Sequence, residues 1–405
     1  MNNNTFVKTI RMANGKDILK FILFNRRFTV QELVNYTGLS MTTIGKYIDE
    51  LRDDGIVEDI ECLATGNKGR RPILYGIKND SHYFVGVDVK HFEFGIGVMD
   101  LGRNMPRAER DRSFKLTNTH STLDDICSRV QDFISRLEPE IRKRIAAVNF
   151  NIGGRVDSRN GISSSFFNFE EMQGSSLADM LNDRLGIPVF LENDTKSMAF
   201  GEFQAFGNSE WQNVLYINVG WGLGLGIITG GNMYYGKDGY SGEFGHVPSY
   251  DNNVLCHCGK KGCLETEVSI AAIHRKLTRR ILDGEASVLS AKVHEGQTIT
   301  VDDIIEATNK EDPLCIELVS WTGSELGRKL AGIINIFNPD AIIIGGSLAK
   351  VNPYYFLQPA ILAVRKYALK LMCNNVPIVT SKLGDDAGLT GACTIAMSRY
   401  FSLNP

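Results

Sequence analysis

Residues 254–267 read Val-Leu-Cys-His-Cys-Gly-Lys-Lys-Gly-Cys-Leu-Glu-Thr-Glu. Cys256, Cys258 and Cys263 fall within eight residues, Gly259 and Gly262 lie between them, and Gly242-Glu243-Phe244-Gly245-His246 sits just upstream. Thiolates and a neutral imidazole are the donors of a tetrahedral zinc site. The glycines let so short a loop turn its sulfurs onto one point. His246 is the favoured fourth ligand, with His257, inside the cluster, as its rival. The non-metal alternatives are three buried free thiols, or a disulfide with one thiol left over. Four protein ligands leave no position open for water, so such a zinc is structural, a staple whose use lies in what it holds.

The chain around this loop has 405 residues, enough for roughly two to four domains. Hydrophobic residues make up 43% and charged residues 22%, the balance of a soluble globular protein. A net charge of −3 excludes a surface that binds polyanions everywhere, so any nucleic-acid contact must be local. The first eleven residues are polar and lack the apolar core of a signal peptide. No run approaches the roughly 20 apolar residues of a membrane span. Eight cysteines without an export signal point to a reducing cytoplasm, and to metal rather than disulfides. The expected location is cytoplasmic.

Ahead of residue 80 the pattern is helical. Ile18, Leu19, Ile22 and Leu23 mark one face of a first helix. Thr29 and Glu32 form a capping-box pair for a second, which buries Val30, Leu33 and Val34. Thr37-Gly38-Leu39 is a tight turn, and Ser40 caps a third helix with the stripe Ile44, Ile48 and Leu51. Helix, glycine turn, helix is a helix-turn-helix, whose second helix lies in the major groove of DNA. Ser40, Met41, Thr42, Thr43 and Lys46 are the candidates for that contact. Two strands follow, Ile56-Val57 onward and Ile73–Ile77, joined by Thr65-Gly66-Asn67-Lys68-Gly69-Arg70-Arg71-Pro72. That is a wing with a basic tip, and Lys68, Arg70 and Arg71 are candidates for phosphate or minor-groove contacts. Through Asp80 the net charge is +2, against −5 for the rest. One domain so weakly charged binds DNA poorly, and a homodimer or homotetramer reading paired half-sites of a double-stranded operator is the expected remedy.

From Tyr83 strands alternate with helices, and glycines stand at strand ends, as in an α/β protein. Tyr83–Val89, Phe92–Asp100, Ile145–Ile152, Gly186–Leu191, Val214–Val219 and Ala341–Ile344 read as strands. Residues 122–137 and Glu325–Phe337 read as helices. Strand, turn, strand units at Val85–Val98 and Leu215–Ile228 hint at a duplicated, two-lobed body. Ligands collect at the carboxyl ends of such strands, where Glu192-Asn193-Asp194 falls. Asn168, Asn193, Asp194, Glu243, His246 and Glu265 are acceptors and amides suited to a polyhydroxylated ligand.

The run Gly242-Glu243-x-Gly245-His246, Cys256-x-Cys258-Gly259-x-x-Gly262-Cys263-x-Glu265 resembles the signature of the ROK family, which joins repressors, open reading frames and sugar kinases. Glu192-Asn193-Asp194, Gly345-Gly346-Ser347 and Gly388-Leu389-Thr390-Gly391-Ala392 occur in the family's order, and the winged segment is that of its regulatory members. The resemblance implies an actin-like, two-lobed sugar-kinase (ribonuclease H-like) fold behind an N-terminal winged helix-turn-helix. Residues 1–80 would be the DNA-binding domain. The first lobe would span 81–192, completed by about 385–405, and the second, with the zinc loop, 193–384. The resemblance also implies zinc on His246, Cys256, Cys258 and Cys263. Asn193, Asp194, Glu243, His246 and Glu265 would contact a sugar, joined by Asn168.

Departures from the kinase pattern bear on function. Kinase members carry Asp-x-Gly-Gly-Thr in the first hairpin, and here Asp88-Val89-Lys90-His91-Phe92 stands there. Their Gly-Thr-Gly is Gly220-Trp221-Gly222, and the Ala-Asn after Glu-Asn-Asp is Thr195-Lys196. Phosphoryl transfer depends on positioning and charge around the phosphates, so both losses predict a non-enzyme. Asp194 would be the base if the chain were a kinase. The expectation is a DNA-binding regulator, a repressor responding to a sugar or sugar derivative, with an active sugar kinase as the alternative.

Overall fold

The computed structural model describes residues 15–62, 73–167, 176–207, 210–403 and 405. Helix α1, Gly15–Asn25, buries Ile18, Leu19, Ile22 and Leu23 on one face. Strand β1, Arg27–Phe28, leads into α2, Val30–Thr37. Thr29 accepts from the Glu32 N–H at 3.3 Å, and the Thr29 N–H donates to Glu32 Oε2 at 2.7 Å, so both arms of the capping box form. Gly38, at φ 70°, closes α2 in the left-handed conformation that glycine adopts without strain. Helix α3, Met41–Asp53, starts where Ser40 Oγ accepts from the Thr43 N–H at 3.2 Å. Strands β2, Val57–Cys62, and β3, Ile73–Ile77, pair antiparallel and complete a sheet of order β1-β3-β2. The wing tip, with Lys68, Arg70 and Arg71, lies outside the described residues, as does Asn168.

Strands β4, Tyr83–Lys90, β5, Glu93–Asp100, and β6, Arg107–Asp111, form an antiparallel meander. Helix α4, His120–Ser135, precedes β7, Ile145–Ile152, which lies parallel to β4. Helix α5, Leu177–Leu185, precedes β8, Val189–Asn193, and the sheet order is β8-β7-β4-β5-β6. Strands β4 and β5 are buried on both faces, as their near-continuous apolar runs require.

Helix α6, Asp194–Phe206, opens a second unit with β9, Val214–Val219, β10, Leu223–Thr229, and β11, Asn232–Met233. Helices α7, Ile270–Leu282, α8, Val301–Asn309, and α9, Pro313–Phe337, separate these from β12, Ala341–Gly345. Helix α10, Leu357–Tyr367, β13, Ile378–Thr380, and α11, Ala387–Tyr400, follow. The sheet order is β11-β10-β9-β12-β13, with β9, β10 and β11 antiparallel and β12 parallel to β9. Each sheet is thus a meander whose first strand gains a parallel neighbour on its other side, and the same strand order occurs twice.

The residues through Glu192 and those from Ala392 onward form one compact unit, and Asn193–Gly391 the other. In the first unit the helix-turn-helix has no separate core. Ile22, Phe28, Leu33, Ile44 and Ile48 belong to one buried cluster with Phe84, Met99 and Ala147 of the sheet and Ala396, Met397 and Phe401 of the C-terminal segment.

Several elements differ in extent from their sequence-based spans. Helix α4 begins at His120, because Thr119 Oγ1 takes the Thr122 N–H as a cap. The helix read as Glu325–Phe337 begins at Pro313, capped by Asp312. Strand β8 ends at Asn193 and passes directly into α6.

Candidate functional site

The loop between β11 and α7 brings the cysteines together. Gly259 and Gly262 hold φ values of 87° and 72°, and a Cβ on Gly262 would overlap the Tyr250 carbonyl oxygen. His246, Cys256, Cys258 and Cys263 place their donor atoms within 4.8 Å of one another. Cys258 Sγ lies 3.6 Å from Cys263 Sγ, and Cys256 Sγ lies 3.5 Å from His246 Nδ1. Bonds of about 2.3 Å to sulfur and 2.0 Å to nitrogen give a tetrahedron with edges of about 3.5–3.8 Å, so both separations fit a shared ion. Burial pushes the Cys256 thiol up to about 12, so a cation must displace its proton to bind there. Cys256 and Cys263 are buried, and the donor set suits zinc.

His257, the rival ligand, turns elsewhere. Its Nδ1 meets Glu265 Oε1 at 2.9 Å, and it lies 3.9 Å from Cys256 Sγ. The other Glu265 oxygen accepts the Leu223 N–H at 2.9 Å, an approach open because Gly222 has no Cβ to meet it. Burial opposes ionisation of Glu265, but His257, the Leu223 N–H and His246 outweigh it and hold the carboxyl below the usual range. With Nδ1 of His246 toward the sulfurs, its Nε2 lies 3.6 Å from Glu243 Oε2. Glu243, His246 and Glu265 therefore form one group beside the three cysteines.

Asn193 and Asp194 form a second group at the start of α6. Asn193 is the N-cap, its Oδ1 accepting the Lys196 N–H at 3.0 Å, while its Nδ2 donates to Asp194 Oδ1 at 3.1 Å. Asp194 also accepts the Thr195 N–H at 2.7 Å.

The first hairpin carries a feature that spacing alone does not reveal. Asp88, 2% exposed, accepts from Asn151 Nδ2 at 3.2 Å, and Lys90 Nζ lies 3.3 Å from Asp88 Oδ2 and 2.8 Å from Glu93 Oε1. Burial opposes the charge on Lys90, but Asp88 and Glu93 overcome it and hold the ammonium protonated well above its ordinary value. Trp221 packs its ring against His274, with centroids 5.8 Å apart. On α3, Met41, Thr42 and Lys46 are exposed opposite Ile44, Tyr47, Ile48 and Leu51, Thr43 is half-buried, and the Ser40 hydroxyl is engaged in capping.

Residues 84–399, framing both sheets and the cysteine loop, match the ROK family. The chain belongs to the ROK family. Among its relatives is the DNA-binding transcriptional repressor Mlc of Escherichia coli strain K12, 25% identical over 371 residues that cover 91% of this chain and 89% of Mlc. The glucokinase of Thermotoga maritima is 29% identical over 316 residues, 78% of this ROK chain and 97% of the glucokinase. A crystal structure of a ROK family transcriptional regulator, a homologue of E. coli Mlc, superposes with a TM-score of 0.79 at 24% identity. It covers 99% of this chain and 98% of that one, so the fold is shared from the helix-turn-helix to the C-terminus.

Sequence reasoning assigned no partner to Lys90 in the first unit or to Lys196 in the second. Lys196, only 4% exposed, donates through Nζ to the Gly239 carbonyl. Their departures from the kinase pattern were visible in the sequence, but the groups they engage were not.

Proposed function

We propose that the protein is a transcriptional regulator, acting as a repressor, whose affinity for a double-stranded operator is set by a sugar or sugar derivative. Zinc on His246, Cys256, Cys258 and Cys263 would be structural. It would hold His246 so that Nε2, with Glu243, Glu265, Asn193 and Asp194, meets sugar hydroxyls. Asn168 remains a sequence-based candidate for the same ligand. Support for this division of labour comes from the coupling between a donor set and the residues that orient it. Met41, Thr42, Thr43 and Lys46 would face base edges, and Lys68, Arg70 and Arg71 phosphates. The effector can shift the operator-bound population only by its differential affinity for the two states. A protein reading paired half-sites acts as a homodimer or homotetramer.

The observation that carries the non-enzymatic part is the Lys90 ion pair. Where kinase members open a glycine hairpin to ATP phosphates, this chain carries a lysine bound to Asp88 and Glu93. The kinase alternative keeps one feature, Asp194 at the head of α6, and one relative, the T. maritima glucokinase.

Selection of genomic fragments by the purified protein at stated salt, with and without D-glucose, D-xylose and N-acetyl-D-glucosamine, tests the reading. A palindrome enriched and then lost or strengthened with one sugar supports it. Sugar-dependent ADP formation would establish the kinase instead. Replacing both Arg70 and Arg71 by Ala should reduce the salt slope of DNA binding by about two, roughly one per lost phosphate contact.

A further inference from the structure

Resting on that effector reading, we propose that Lys196 is a positioning residue. It clamps the loop that delivers Glu243 and so sets how tightly the sugar is held. The loop of residues 234–242 is fixed at both ends to β10. The Tyr234 N–H donates to the Ile227 carbonyl at 2.8 Å, and Gly242, at φ 87°, lies so close to the Leu225 carbonyl oxygen that a Cβ would overlap it. Within the loop, the Ser241 N–H donates to the Tyr235 carbonyl at 3.1 Å, and Ser241 Oγ to the Tyr234 carbonyl. Its tip is held from another element. Gly239 is buried at φ 85°, and its carbonyl accepts from Lys196 Nζ, with the Tyr235 ring centroid 5.7 Å from the ammonium.

Lys196 reaches the loop from the first turn of α6, where its own N–H is taken by the Asn193 cap. One residue thus ties the Asn193–Asp194 turn to the segment that runs into Glu243. Lysine is rarely buried, and desolvating an ammonium is costly. Methionine would fill the same volume without that penalty, so packing alone does not account for a lysine here. A charge-assisted bond to a backbone carbonyl accounts for it, because it fixes a loop tip whatever side chains the loop carries.

The test uses the full-length, zinc-loaded protein and Lys196→Met. Calorimetric titration with D-glucose, D-xylose and N-acetyl-D-glucosamine is paired with amide hydrogen exchange over residues 234–242. The sugar that binds the wild type should bind Lys196→Met about tenfold more weakly, the scale of one charged hydrogen bond. Exchange should accelerate within 234–242, with zinc content and effector-free DNA affinity unchanged. Equal sugar affinity overturns the proposal. So does faster exchange throughout 193–391 with zinc loss, the signature of packing alone. Should the variant fail to fold, Tyr235→Leu, which loosens the ammonium from the loop side, should weaken the same sugar about threefold, and no change overturns the clamp. A wild type that binds none of the three sugars removes the effector reading. The exchange profile then decides the clamp by itself, and unaltered exchange at 234–242 overturns it.

Discussion

Cys258 and His82 report on different stabilising forces, one on the cysteine loop and one on a buried aromatic cluster. Cys258→Ser removes one of four donors, and because metal binding in such loops is folding energy, zinc and stability should fall together. Zinc stoichiometry should drop, and the melting temperature should fall by roughly 5–10 °C, the shift that about 3 kcal/mol produces in domains of this size. An unaltered melting temperature would sink the structural role. His82 lies against Tyr400 and Phe401, with ring centroids 5.7 and 5.8 Å away, and burial lowers its pKa from the ordinary imidazole value. Burial lowers His274 likewise, and His91 with the help of Lys115. A lowered folded-state pKa means that the unfolded chain binds more protons, so stability rises with pH in this window. The contribution is complete above about pH 6.5, the unfolded value, and is lost as pH falls through it. His82→Phe keeps an aromatic in place and should flatten the decline in melting temperature between pH 7 and 5.5. An unchanged slope would show that His82 takes up its proton without cost.

At the scale of elements, two glycines in helices should respond to alanine with opposite signs. Gly45 lies within α3, and a Cβ there would meet nothing. Glycine in a helix interior costs up to about 1 kcal/mol relative to alanine, so Gly45→Ala should raise the melting temperature. If α3 lies in the major groove, the added methyl should also weaken operator binding. Greater stability with undiminished DNA affinity would remove α3 from the interface. Gly327 of α9 faces α10, and a Cβ there would overlap the Ala360 carbonyl oxygen, as one on Gly323 would overlap that of Phe356. Gly327→Ala must push the helices apart and should destabilise by about 1–3 kcal/mol, measured by denaturant unfolding. The sequence-based span Glu325–Phe337 leaves out Gly323 but includes Gly327. They resemble breakers in sequence, whereas in the fold they are the smooth face against which α10 packs. The caps of α2 and α3 were legible because they join residues three apart. The cysteine loop was legible because its three cysteines fall within eight residues. Lys196 was not, because its partner is a backbone carbonyl 43 residues away, which leaves no side-chain signature. The Lys90 pair was missed for another reason: hairpin register decides whether neighbouring charges meet, and β4 and β5 place Lys90 opposite Glu93.

At the scale of the whole molecule, the helix-turn-helix and the sheet β8-β7-β4-β5-β6 share one buried cluster, closed by the last turns of the chain. Phe401 is fully buried there, 5.9 Å from the Phe84 ring and 5.8 Å from His82, while Arg399 reaches Ser158 at 3.0 Å and the buried Glu192 at 3.4 Å. Helix α11 is divided between the units, its residues through Gly391 in one and those from Ala392 in the other. A DNA-binding segment with its own core would unfold independently of the body. One that shares its core should unfold with it, because the same side chains serve both. Phe401→Ala deletes a fully buried aromatic and should cost about 3–5 kcal/mol. Native-state hydrogen exchange should then show α1, α2 and α3 losing protection together with β4 and β7, by the same free energy, while the cysteine loop and β9, β10 and β12 keep theirs. Protection lost in β4 and β7 but retained in the three N-terminal helices would separate the cores. Loss confined to the C-terminal residues would show that the tail lies on the cluster without closing it. With that core shared, α1, α2 and α3 meet the sheet of their own unit through packed side chains.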